Sequence, residues 1–439
     1  MSETRFVLSP GGALTGRIRV PGDKSISHRS IMFGSLASGV TEVTGFLEGE
    51  DCLATLNAFR AMGVRIEGPD DGRVTIHGVG LHGLAAPVGP LDMGNSGTSM
   101  RLMSGILAGQ AFDSVLVGDA SLSKRPMKRV TAPLALMGAE IVATPAGTAP
   151  LHIRGGRRLH GIDYALPMAS AQVKSCLLLA GLYAEGTTRV TEPAPTRDHT
   201  ERMLEGFGYP LRREGARTFA VEGGHALTAT RIDVPADISS SAFFMVGASI
   251  APGSDLIIEH VGINPTRTGV IDILRLMGAD ITLLDERVVG GEPVADLRVR
   301  AAPLQGIRIP EELVPLAIDE FPVLFVAAAC AEGETVLTGA EELRAKESDR
   351  IQVMADGLVP LGIDARPTAD GIVIRGGRLG GDVDIATHHD HRIAMSFAMA
   401  ALRAGGEIRI HDAGFVATSF PGFVELARGA GLAIRAESA

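Results

Sequence analysis

Tryptophan is absent from this 439-residue chain, and aromatic residues of all kinds make up only 4% of it. Single-stranded nucleic acids are gripped by stacking bases on aromatic rings, so that activity has little to build on. Cysteine is scarce too: Cys52, Cys176 and Cys330 are the only three, and no two of them form a C-x-x-C pair. That count and spacing exclude a disulfide framework and a zinc ribbon. The greasiest stretch, Phe321 to Ala331, falls well short of the ~20 residues needed to cross a bilayer. The first ten residues lack a basic stretch leading into an apolar core, so no secretion signal is read there and a cytoplasmic location is expected. An excess of positive charge is also missing. With 41 Lys and Arg against 51 Asp and Glu, the formal net charge is −10, which opposes extended contact with a phosphate backbone. Any anion must be met by a local basic cluster.

What remains is ordinary globular material, 45% apolar and 21% charged, long enough for about two or three domains. Glycine is plentiful, at 55 residues, and part of it is periodic. A helix-like run ending in glycine and then a short strand-like stretch recurs around Gly63, Gly138, Gly208, Gly278, Gly362 and Gly431. The interval is roughly 70 residues, longer than common solenoid units of 20 to 50. Glycine supplies the left-handed cap that ends a helix, and six such units suit two domains of three. Helices are expected at Lys24 to Ala37, Ser96 to Ala108, Ala169 to Ala184, Ser239 to Ala251, Glu320 to Ala331, Lys346 to Leu358, His391 to Ala404 and Pro421 to Arg428. Several carry basic residues at their beginnings, against the usual preference for acids there. That inversion points to bound anions.

Eight segments hold the candidate chemistry. Gly22-Asp23-Lys24-Ser25-Ile26-Ser27-His28-Arg29 leads a turn into a helix, but it is not a Walker loop, because Asp23 separates the glycine from the lysine. Ser25 and Arg29, four apart, share a helix face and could grip one anion; a capped, solvated helix start is the alternative. Gly94-Asn95-Ser96-Gly97-Thr98 offers backbone amides at a second helix start. Ser121 to Arg129 packs Lys124, Arg125, Lys128 and Arg129 together, as a solvated face or an anion grip. Ser170-Ala171-Gln172 and Thr196-Arg197-Asp198 add polar donors. Asp319 either caps the following helix or is a partly desolvated carboxylate suited to proton transfer. Lys346 and Arg350 are expected on one helix face, with Glu347 one step around. His388, His389 and His391 suggest a metal only weakly, since no matching cluster accompanies them.

Taken in order, Gly22 to Arg29, Gly94 to Thr98, Asp119 to Met127, Lys346 to Arg350 and Asp390-His391-Arg392-Ile393-Ala394-Met395 resemble the motifs of the EPSP synthase family across almost the whole chain. The resemblance implies an α/β fold of two domains built from six βαβαββ-type repeats, an inside-out α/β barrel. Residues 1–21 and 238–439 would form a discontinuous domain bearing both termini, residues 22–237 an inserted one, with the active site in the cleft between. It implies transfer of the enolpyruvyl group of phosphoenolpyruvate to shikimate 3-phosphate, in the shikimate pathway to chorismate and the aromatic amino acids. No metal and no organic cofactor is implied, and a monomer is expected. Shikimate 3-phosphate would meet Lys24, Ser25, Arg29, Ser170, Ala171, Gln172, Arg197, Asp319 and Lys346. Phosphoenolpyruvate would meet Lys24, Gly97, Arg125, Gln172, Arg350 and Arg392. Asp319 would accept a proton, with Glu347 and Lys24 as further proton-transfer groups.

Two departures from the commonest family pattern, Thr418 before Ser419-Phe420-Pro421 and Ala171 after Ser170, resemble the class II branch, some of whose members tolerate the inhibitor glyphosate. Tolerance there is often linked to alanine at the position of Gly97; the retained glycine implies a closer fit to the inhibitor. The related UDP-N-acetylglucosamine enolpyruvyl transferases use a loop cysteine, and none of the three cysteines here lies in a matching motif. A closing phosphate-metabolite binding protein is the alternative from another class, but anion binding alone does not call for the acids Asp319 and Glu347.

Overall fold

The computed structural model describes residues 4–438. The chain divides into two compact units. The flanking unit comprises residues 1–21, 235–288 and 292–439, and the inserted unit residues 22–234 with 289–291. The chain therefore returns at Val234–Pro235, three residues before the expected boundary, since Asp237 already caps the next helix.

Among the described residues, twelve α-helices alternate between two kinds. In the inserted unit they are α1 (Lys24–Leu36), α2 (Glu50–Ala61), α3 (Gly97–Ala108), α4 (Lys128–Leu136), α5 (Ala171–Gly181) and α6 (His199–Gly206). In the flanking unit they are α7 (Ile238–Ile250), α8 (Gly269–Leu276), α9 (Phe321–Cys330), α10 (Arg350–Leu358), α11 (His391–Ala400) and α12 (Phe423–Ala430). The odd-numbered helices are buried on nearly every side. In α7 all residues from Ile238 to Ile250 are buried, and α9 is buried from Phe321 to Ala329. Helices apolar all round belong in a core. Even-numbered helices keep a wet face and end in the periodic glycines. Gly63, Gly138, Gly208, Gly278, Gly362 and Gly431 all have positive φ, between 75° and 118°, which a side chain would disfavour.

Six small sheets follow one plan: a parallel pair, then two antiparallel neighbours. In the inserted unit, Leu91–Asp92 lies parallel to Ser114–Val117, which pairs antiparallel with Leu151–Arg154 and that with Glu140–Val142. Asp163–Ala165, Thr187–Thr191, Thr218–Glu222 and Leu211–Arg213 repeat it. The remaining sheet of this unit takes its parallel strands from the end of the insert: Leu227–Thr228 and Arg231–Asp233 pair with Ala37–Thr44. The flanking unit closes the same way. Thr15–Ile18 runs parallel to Asp255–Gly262, and Thr4–Leu8 sits between Ile408–His411 and Ile434–Ser438. In its third sheet two isolated parallel bridges, Gln305 to Glu332 and Arg308 to Val336, stand where the parallel strand would be.

Where the expected helices differ, the reason is local. The helix expected from Lys346 begins at Arg350, because Asp349 caps it by accepting from the Gln352 amide at 3.0 Å. Lys346 thus lies in the preceding loop and shares no helix face with Arg350. The helix expected to Ala404 ends at Ala400 and tightens to a 3₁₀ turn over Ala401–Arg403. No helix among the described residues is long and apolar enough to cross a membrane.

Inner helices in the inserted unit approach closely enough to need glycine. A methyl group on Gly105 of α3 would collide with the Cys176 carbonyl of α5, which is backbone and cannot swing aside. Gly105→Ala is expected to destabilise the fold by about 3 kcal/mol, measured as a lowered urea midpoint with unchanged slope.

Candidate active site

Each inner helix except α9, which is apolar from Phe321 onward, is polar in its first turn, so the polar starts must be satisfied where they are buried. Five of the six are capped by their own side chains. Asp23 accepts from the Ile26 amide (2.9 Å), Ser96 from Ser99 (3.1 Å), Ser170 from Val173 (3.4 Å), Asp237 from Ser239 (2.7 Å) and Asp390 from Arg392 (3.0 Å). Side-chain bonds then tie the starts to one another within each unit.

In the inserted unit, Lys24 is paired with Asp51 at the start of α2 and keeps about a fifth of its side chain exposed. His28 is buried one turn further on, its Nδ1 at 2.8 Å from Thr55 Oγ1 and 3.4 Å from Ser99 Oγ. Burial, and then the neighbouring Lys24 and Arg29 charges, hold its pKa well below the ordinary histidine value. Arg29 is clamped: Nε donates to Thr200 Oγ1 (2.7 Å), Nη2 to Ser175 Oγ (2.9 Å) and Nη1 to the Ser25 carbonyl (3.0 Å). The guanidinium thus meets the main chain of Ser25, its neighbour one turn back on α1. Behind it, buried Lys174 pairs with Glu201 (2.6 Å) and Glu192 (2.9 Å), and Thr200 Oγ1 donates to Ser175 Oγ (2.7 Å). Two adjacent rungs between α5 and α6, one ionic and one hydroxyl, hold Arg29 in place.

The second motif surrounds Gly97. A methyl group there would lie 3.1 Å from Arg101 Nη1 and 3.3 Å from Arg125 Nη1, so the glycine lets two guanidinium groups approach one helix start. Arg125 Nη2 donates to Asn95 Oδ1 at 2.7 Å, and Arg101 Nη1 to Gln172 Oε1 at 2.5 Å. The Gln172 amide nitrogen donates in turn to Thr98 Oγ1 at 3.0 Å, joining α3 to α5. Of the four cations in Ser121 to Arg129, Arg125 turns inward to Asn95, whereas Lys124 and Lys128 are exposed. Ser25, Ser170, Ala171 and Arg197 are all partly exposed at these starts or in the turn before α6.

The flanking unit gathers Asp319, Lys346, Glu347, Arg350 and Arg392. Arg350 is 1% exposed and faces three carboxylates. Nε donates to Asp390 Oδ2 at 2.8 Å, Nη2 lies 2.7 Å from Glu347 Oε2, and Nη1 is 3.4 Å from Asp319 Oδ1. Burial pushes the guanidinium toward losing its proton, but Asp390, Glu347 and Asp319 outweigh it and raise the pKa far above the usual value. For buried Asp390, burial favours the neutral acid, yet the Arg350 charge prevails and holds it below the usual carboxylate range. Asp319 Oδ1 also stands 3.5 Å from Lys346 Nζ, and its carbonyl accepts from Arg392 Nη1 at 3.1 Å. Asp319 does not cap α9; Glu320 occupies that position.

The three histidines near α11 serve other ends. His388 and His389 sit in left-handed conformations, with His389 packed on Phe415, and among the described residues no group of three His, Cys, Asp or Glu could hold a metal ion. Burial pushes the Cys176 and Cys330 thiols up to about 12, so neither is poised as a thiolate, and Cys52 is buried with its Sγ 3.8 Å from the Lys24 carbonyl. Reading by motif missed Arg101, Asn95, Asp390 and Glu320. Arg101 was the most accessible, being four residues from Gly97 and hence over it on the helix.

His28 gives the cluster a pH dependence. Its lowered folded-state pKa means the unfolded chain binds the extra proton first, so its share of stability is complete above about pH 6.5 and is lost as pH falls below it. Relative to His28→Gln, the natural chain is expected to lose up to about 1.4 kcal/mol per pH unit in that window. Urea midpoints at several pH values between 7.5 and 5 check this; parallel curves for the two proteins would refute it.

The sequence profile of the family described as EPSP synthase (3-phosphoshikimate 1-carboxyvinyltransferase) matches residues 8–426. A 3-phosphoshikimate 1-carboxyvinyltransferase of Methylococcus capsulatus is 73% identical over 430 residues, covering 98% of both chains, and one of Alkalilimnicola ehrlichii is 70% identical over 429, covering 98% of this chain and 96% of its own. A solved structure of EPSP synthase from Acinetobacter baumannii superposes with a TM-score of 0.90 at 63% identity, over 99% of this chain and 100% of that one. The enolpyruvyl transferase NikO from Streptomyces tendae shares the fold, with a TM-score of 0.81 at 18% identity over the full length of both. With its inner-helix starts and polar clusters in view, and with matches of this extent, the chain belongs to the EPSP synthase family.

Proposed function

We propose that the two clusters divide the work of the family's reaction. That reaction moves the enolpyruvyl group of phosphoenolpyruvate to the 5-hydroxyl of shikimate 3-phosphate, giving 5-enolpyruvylshikimate 3-phosphate and inorganic phosphate, on the route to chorismate and the aromatic amino acids. A cysteine-dependent transfer to a UDP-sugar is disfavoured by the Cys176 and Cys330 thiols, which burial pushes up to about 12.

Lys24, Ser25, Ser170, Ala171, Gln172 and Arg197 bind shikimate 3-phosphate, with Arg29 supporting them from its clamp. Arg125 and the α3 start at Gly97 receive phosphoenolpyruvate together with Lys24, Gln172, Arg350 and Arg392. A proton is added to the phosphoenolpyruvate methylene, the 5-hydroxyl oxygen attacks C2, and Asp319 takes the hydroxyl proton. The resulting ketal phosphate loses a methyl proton and the C–O bond to phosphate breaks, restoring the double bond. Glu347 and Lys24 are the groups for the remaining transfers. The observation that carries this reading is Asp319: a partly exposed carboxylate flanked by Lys346 and Arg350, with its main chain held by Arg392.

Phosphate release from purified protein given both substrates, against either alone, tests the reaction. Asp319→Asn is expected to lower kcat by about 10² to 10⁴ while both substrates still bind; full turnover would remove Asp319 from its role. Gly97→Ala should press the Arg101 and Arg125 tips apart and raise the KM for phosphoenolpyruvate about tenfold, some 1.4 kcal/mol, leaving that for shikimate 3-phosphate nearly unchanged.

A further inference from the structure

Glu320 is the exception among the inner-helix caps. It stands at the cap of α9 but makes no capping bond to that helix. Its side chain, in a residue 2% exposed, reaches sideways instead, where Oε1 accepts a hydrogen bond from Ser239 Oγ on α7. The same Ser239 oxygen accepts from Arg267 Nη2 at 2.7 Å, and Arg267, 3% exposed, lies 3.3 Å from Asp237 Oδ1. Asp237 is rooted in turn: it caps α7 through the Ser239 amide at 2.7 Å, and its own amide donates to the Pro21 carbonyl at 2.9 Å. A buried, charge-assisted relay thus runs from Arg267 through one hydroxyl to the residue directly after Asp319. A buried carboxylate would be a burden to the fold without such partners.

We infer that Glu320 is a positioning residue for Asp319, fixing the start of α9 against α7 so that the Asp319 carboxylate stays aimed at Lys346 and Arg350. The inference rests on Asp319 being the proton acceptor. On its other side Asp319 meets Arg392 through its carbonyl at 3.1 Å, and Arg350 and Lys346 through its carboxylate at 3.4 and 3.5 Å. Glu320 adds a constraint through the backbone: its amide donates to the Ala317 carbonyl at 2.9 Å, and its carbonyl accepts from the Leu324 amide at 3.1 Å. Freeing its side chain lets residues 319 and 320 turn together. Displacement of a reacting group by an ångström lowers turnover by up to about 10²-fold.

The experiment is steady-state phosphate release with both substrates for Glu320→Ala, Glu320→Gln and Ser239→Ala, each alone and in the Asp319→Asn background. Glu320→Ala and Ser239→Ala are expected to reduce kcat by on the order of 10-fold to 10²-fold, with both KM values within about twofold of the natural chain. Glu320→Gln, whose amide oxygen can still accept from Ser239, should recover most of that loss. In the Asp319→Asn background none of the three should reduce turnover further, because the group being positioned is already gone. Unchanged kcat in Glu320→Ala and Ser239→Ala, a loss confined to KM, or a full additional loss in the Asp319→Asn background would overturn the inference. Wild-type turnover in Asp319→Asn alone would overturn the proton-acceptor reading instead, whatever the Glu320 variants do.

Discussion

A guanidinium or ammonium group taken out of water must be paired, and this chain buries four of them: Arg29, Lys174, Arg267 and Arg350. Arg29 and Lys174 lie near the starts of α1 and α5, Arg267 and Arg350 reach Asp237 and Asp390 at the caps of α7 and α11, and each is met by groups from a neighbouring element. That requirement shapes both units. An inner helix can be apolar along most of its length and still begin with lysine, histidine or arginine only if other chain segments bring carboxylates and hydroxyls to that end. The repeated sheet-and-helix unit does so, because it sets helix starts side by side three times in each unit.

The pairing also separates what is fixed from what can exchange. Arg350 and Asp390 are buried together, and removing either would strand the other charge. The remaining partners of Arg350, Glu347 and Asp319, keep 24% and 16% of their side chains exposed, and Lys24 and Lys346 keep 22% and 20%. Those contacts are open enough to be traded. One face of the Arg350 guanidinium is thus anchored by the protein while the other offers donors to an incoming anion, which suits a planar group with a fixed fork of N–H bonds.

The architecture was legible in the sequence for a physical reason. Ending a helix and turning into a strand calls for a left-handed residue, and the six glycines that meet the need are spaced by the repeat itself. The inner helices could be read because they are apolar all round, which leaves little else for such a segment to be. The loop containing Lys346 could not, since its i,i+4 spacing to Arg350 is what a helix would also give, and only the cap formed by Asp349 shows where the helix begins. Site residues announced by charge and glycine were found by motif. Partners such as Asn95, Ser175, Thr200 and Ser239 were not, because nothing in their local sequence marks which distant side chain they will hold. The roles of Asp390 and Glu320 were hidden for the same reason: each is an acid just before a helical run and reads equally well as a helix cap.

An acidic protein that works on polyanions has to solve a local problem against its overall field. At net charge −10 the long-range potential does not favour the substrates, but that field is screened beyond roughly 8 to 10 Å in physiological salt. Within that distance the balance is set by the clusters. Their cations are matched by acids at rest, Lys24 by Asp51, Lys346 by Asp319 and Glu342, and Arg350 by three carboxylates. This matching keeps the charged side chains ordered before substrate arrives, and it lowers the gain on binding, since each resting contact must be exchanged. A phosphate or carboxylate wins the exchange by bringing more acceptor oxygens and, for phosphate, up to two charges to the same donors. A neutral analogue has no such advantage. The acids around the clusters therefore act as a filter as well as a support: they stand in for the substrate's charge at rest and yield only to a ligand that carries more of it.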